Sequence, residues 1–83
     1  NNNNTRIARK DDLGFGYVGY ALFVPIWIGK LNTLIRNGGS QEDINASLSE
    51  GTRWTIEMRE NGFHELAEIM EERINEVTRD QKQ

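Results

Sequence analysis

The chain has 83 residues with no cysteine, one histidine and a net charge of −3, which limits it to a single domain. Disulfides, thiolate zinc sites and histidine-rich metal sites are excluded, and the missing cysteine fits a reducing, cytoplasmic location. A domain this small buries only about 60–65% of the surface its unfolded chain exposes, so regular helix packing or self-association must compensate.

Residues 1–12 open on four asparagines with no hydrophobic signal-peptide core, and are expected to be a flexible polar tail. Charge then divides along the chain. Residues 1–39 carry five basic and two acidic residues, a net of +3; residues 40–83 carry five basic and eleven acidic residues, a net of −6. Five of the seven aromatics, Phe15, Tyr17, Tyr20, Phe23 and Trp27, fall in the basic half. That asymmetry favours contact between copies, or folding of one half onto the other.

Residues 13–24 are apolar and interrupted by Gly14, Gly16 and Gly19, each costing a helix about 1 kcal/mol relative to alanine. Their aromatic and β-branched content suits a strand as well, but no second clear strand exists to pair with one, so helix is expected. Pro25 should start or kink a helix. From there Trp27, Leu31, Leu34 and Ile35 share a face, and Asn37, Gly38 and Gly39 supply a left-handed stop, giving a helix near 25–37.

Ser40 suits an N-cap, with Asp43 at the positive helix end. Ile44, Leu48, Gly51, Thr55 and Met58 form a weak stripe over 41–60, with Trp54 beside it; Gly51 in mid-pattern allows two short helices around a turn. Asn61 and Gly62 mark the next stop. The clearest helix is 63–78, with Phe63, Leu66, Ala67, Met70, Ile74 and Val77 on one face and glutamates elsewhere. The expected fold is mainly α: a bundle of three main helices preceded by an apolar N-terminal element. It forms one domain over 13–79, with 80–83 fraying, and is completed by oligomerisation.

Three patterns bear on function. Residues 13–29 carry no charge, just short of the roughly 20 residues that span a bilayer. Four glycines and a proline dilute the run, so a buried core or interface element is the leading expectation and a membrane-associated protein the alternative. The stretch SQEDINASLSEGTRWTIEMRENGF resembles the helix-turn-helix family over about a quarter of the chain, through Ile44, Leu48 and Met58. The resemblance implies DNA contact through Arg53 and Arg59. Asn45, Ser49, Glu50 and Thr55 depart from the pattern, and the net charge of −6 opposes phosphate binding. Finally, Phe15, Tyr17, Tyr20, Phe23 and Trp27, with Lys30, form an aromatic and basic segment expected to meet a second copy or another protein; a nucleotide stacked on the rings is a weaker alternative.

No motif arranges a nucleophile around His64, and no phosphate-binding loop occurs. The overall expectation is therefore a non-enzymatic regulatory or inhibitory protein without cofactor or metal, binding itself and another protein through its aromatic half.

Overall fold

The computed structural model describes the backbone of residues 2–81 and the side chains of residues 16–81. Three helices follow one another: α1 (Asn2–Arg36), α2 (Gln41–Glu60) and α3 (His64–Gln81), with no strand among the described residues. The expected small, mainly helical bundle is the observed one. The chain runs up, down and up. Tyr20 on α1 reaches Glu57 near the end of α2, and Asn32 near the end of α1 meets Arg73 on α3. The thirty-five residues of α1 make a rod of about 52 Å at 1.5 Å per residue, matching the molecule's longest extent of 56 Å.

Residues 13–24, expected to be helical, lie within α1. Pro25, expected to start or kink a helix, does not start one: α1 runs through it as one element. A proline inside a helix removes one backbone hydrogen bond and costs about 3 kcal/mol. Packing on either side offsets that cost. Val24, Trp27 and Leu31 are all buried against α2 and α3, so the inner face of α1 is pinned before and after the proline, whose own ring is exposed.

The stop signals act as their chemistry requires. Gly38 adopts a φ of 75°, and the amides of Gly38 and Gly39 donate to Ile35 O and Leu34 O. The hydroxyl of Ser40 then accepts the Asp43 amide at 3.0 Å, capping α2. Gly62, with a φ of 87°, turns the chain, and Phe63 N donates to Met58 O at 2.8 Å.

The glycine at 51 breaks nothing. α2 is one helix from Gln41 to Glu60, and the two-helix alternative is overturned. A Cβ at residue 51 would stand 2.4 Å from Cζ2 of Trp27, so the glycine is a notch into which the indole fits. Around that contact lies one core. α1 contributes Val24, Trp27 and Leu31; α2 contributes Ile44 and Met58; α3 contributes Leu66, Ala67, Met70 and Val77. The stripes expected on α2 and α3 are the buried ones. Thr55, also buried, satisfies its hydroxyl by donating to Thr52 O at 2.6 Å.

Candidate interaction surface

The rings of the N-terminal half meet partners within the chain. Phe23 lies 4.8 Å from Trp54 between ring centroids, and Tyr20 lies 6.0 Å from Trp54 and 5.7 Å from Phe63. Tyr17 reaches Phe63 edge-on at 5.6 Å. Such tilted and edge-to-face contacts favour the ring quadrupoles. The Tyr20 hydroxyl also donates to the Glu57 carboxylate, which raises its pKa to about 12, with partial burial adding to the shift.

The residues expected to form the interaction surface thus divide. Trp27 is corrected outright: it is 5% exposed and sits in the core, where its indole N–H is buried without a partner among the described residues. Tyr20 and Phe23 are half-buried under α2 and α3, Tyr17 keeps 46% of its surface, and Lys30 is exposed. The side chain of Phe15 and those of the expected tail, residues 1–12, lie outside the described ones, as do Lys82 and Gln83 at the end expected to fray.

The uncovered apolar surface is instead aliphatic. Val18, Leu22 and Ile26 are 54%, 62% and 57% exposed. Spaced at i, i+4 and i+8, they form a row along the side of α1 opposite Val24, Trp27 and Leu31. Gly19 and Gly29 flank the row, and a Cβ built on either would have nothing within 4 Å. Ring content alone points to the aromatic side. A helical projection of 16–36 would have separated the two faces, but both are apolar, so only packing identifies the inner one. Gly16–Arg36 is 21 residues long, and its most apolar window has a mean hydropathy of 1.4 with only 17% of it buried, long and apolar enough to cross a membrane.

The arginines expected to touch DNA are placed differently. Arg53 is exposed. Arg59 is held by Glu71: its Nε donates to Oε2 at 3.0 Å and its Nη2 to Oε1 at 2.7 Å. This two-pronged bond holds the Glu71 carboxyl below the usual range and the guanidinium above its own. Nη1 of Arg59 lies 3.1 Å from Nδ1 of His64, which must accept, since arginine only donates. Helix-turn-helix geometry needs a turn inside 41–60, where α2 is unbroken, so the resemblance loses its central feature.

A hollow of about 190 Å³ opens between Ile35, Ile44, Arg73 and Val77, and a larger one of about 370 Å³ lies along Glu68, Ile69, Glu71, Glu72 and Asn75. No group of three or more metal-ligating side chains occurs among the described residues. Comparison with known protein families, curated proteins and solved structures finds no match for this chain.

Proposed function

We propose that this chain is a non-enzymatic binding protein that docks a macromolecular partner on the outer face of α1 and regulates or inhibits by occupying it. One observation carries the reading: Val18, Leu22 and Ile26 stand in a row along α1, each more than half exposed, whereas α2 and α3 each leave one aliphatic exposed to about that degree, Ile56 and Ile69. Single exposed aliphatics are ordinary, whereas a contiguous row with uncharged flanks marks a surface that another body covers. The face is suited to binding: aliphatic side chains offer no nucleophile, acid or base. The rings first expected to bind play a supporting part, since Tyr20, Phe23 and Trp27 fasten α1 to the hairpin and so present the row.

The test compares the wild-type chain with a Leu22→Glu, Ile26→Glu double variant, by light scattering and by retention on a phenyl matrix. The wild type should self-associate or be retained, and the variant should be an unretained monomer with the same helix content. A wild type that is monomeric and passes the matrix freely overturns the proposal.

A further inference from the structure

We infer that the partner of the outer α1 face is an anionic lipid bilayer, on which the intact bundle lies with α1 in the plane of the headgroups. This inference rests on the docking reading above.

Three observations select a bilayer. First, the face has no charged shoulder. Residues 13–29 carry no charged side chain, and Gly19, Pro25 and Gly29 flank the aliphatic row. Helices that pair in water usually place charged residues beside the apolar seam, where they set partner and register. A hydrocarbon surface makes no such demand. Second, Lys30 and Arg36 stand where the headgroups would be. Lys30 follows Ile26 at i+4 and Arg36 lies two heptads beyond Leu22, so both continue the outward side. Both are exposed, and the ion pairs among the described residues involve neither.

Third, charge is polarised across the bundle. Among the described side chains, those of α1 carry Lys30 and Arg36, a net of +2, and those of residues 40–81 carry four basic and eleven acidic groups, a net of −7. With α1 against lipid, the positive side faces anionic headgroups and the negative side faces water. A second copy docked face to face would set one net-positive helix against another.

The fold also decides the orientation. Gly16–Arg36 could cross a bilayer by length and composition, but α2 and α3 cover its inner face with exposed glutamates, among them Glu50, Glu60, Glu65, Glu68 and Glu72. Crossing with the bundle intact would carry these into hydrocarbon, whereas lying flat buries the aliphatic row and keeps the carboxylates of α2 and α3 in water. The whole bundle thus acts as an amphipathic helix does, its polar face supplied by the hairpin.

Flotation tests this with vesicles of phosphatidylcholine alone and of phosphatidylcholine with phosphatidylglycerol. The wild-type chain should float with the anionic vesicles, several-fold less with the neutral ones, and less again at high salt. Leu22→Glu with Ile26→Glu should lower lipid-bound protein at least tenfold with an unchanged circular dichroism spectrum. Lys30→Glu with Arg36→Glu should remove the preference for anionic lipid. Dyes on Val18→Cys and Ile26→Cys, each the only cysteine in its chain, should report equal depth. A depth difference near 12 Å, from eight residues at about 1.5 Å each, would indicate a crossing helix and overturn the in-plane arrangement. A preference for anionic lipid that survives Lys30→Glu with Arg36→Glu overturns the electrostatic assignment. A wild type that ignores lipid, yet changes from oligomer to monomer on the Leu22 and Ile26 substitutions, overturns the bilayer and leaves docking standing with a second copy as partner. Neither lipid binding nor a change of mass removes both.

Discussion

The hairpin and α1 solve opposite problems. In α2 and α3 most apolar residues gather on one side, with Ile56 and Ile69 the exposed exceptions, so each helix has an obvious inside. From residue 16 to residue 29, α1 is uncharged all the way round, and packing tells the half that faces the hairpin from the half that faces outward. An amphipathic helix declares its partner surface in its own pattern. A helix without a polar side fills one apolar environment and is left with the need for another.

The strongest way to break that comparison is to remove the side chain that seats α1. Trp27→Ala takes the largest ring out of the core and is expected to cost about 3–5 kcal/mol. The whole domain should be stable by only about 4–12 kcal/mol for its 83 residues. Urea unfolding followed by circular dichroism should show the midpoint collapse toward zero denaturant. An unshifted midpoint would mean that α1 is not held by the hairpin, and the distinction between its inner and outer faces would fall.

Helical glycines sharpen the same contrast, because they sample both sides of α1. Gly51→Ala gains about 1 kcal/mol of helix propensity but forces a methyl group to 2.4 Å from the Trp27 ring. Overpacking of that kind costs about 1–3 kcal/mol, so the net should be a loss of up to about 2 kcal/mol. Gly29→Ala meets open space and should gain about 0.5–1 kcal/mol. Thermal melts of the two variants should therefore move in opposite directions. A gain at both positions would show that the indole does not fill the notch.

These residues also mark what the sequence makes legible. The bounds of α2 and α3 follow from local chemistry: Ser40 caps, Gly38 and Gly62 turn, and the stripes repeat at helical spacing. Local signals misreport where tertiary contacts override them. Pro25 and Gly51 both read as interruptions, yet one is carried by the buried residues beside it and the other exists to admit a tryptophan from another helix. The candidate surface is less legible. Ring content and charge single out the first half, but its rings are spent on Trp54 and Phe63, and its exposed row is aliphatic. No periodicity in 13–29 distinguishes the two faces; the hairpin's choice of side does.

Where α1 meets the hairpin, one titration reports the contact directly. Tyr17→Phe leaves Tyr20 as the only tyrosine, and its phenol should titrate near 12 in place of 10 because it donates to Glu57 and is partly buried. A neutral phenol favoured by folding contributes stability that is complete below the unfolded value. That stability is lost as pH rises from about 10 through about 12. Absorbance of the phenolate gives the midpoint, and Glu57→Gln should lower it. A midpoint at 10 in the folded protein would detach Tyr20 from α2.

The smallest effect belongs to the hairpin alone. Arg59 clasps Glu71 across the turn from α2 to α3, and its two hydrogen bonds hold the Glu71 carboxyl below the usual range. A depressed carboxyl contributes stability that is present above the unfolded value, about 4.3, and is lost as pH falls through the lower folded value. Both side chains are more than a third exposed, so water and salt screen the pair and the contribution is slight. Glu71→Gln should lower the urea midpoint modestly at neutral pH. The gap to wild type should close as the solution is acidified below pH 4, and it should narrow at high salt. Because α1 takes no part in the clasp, acid should loosen the hairpin without releasing the Tyr20 hydroxyl from Glu57 by this route. A Glu71→Gln gap that persists at low pH would show that the substitution acts through packing of the turn and not through charge.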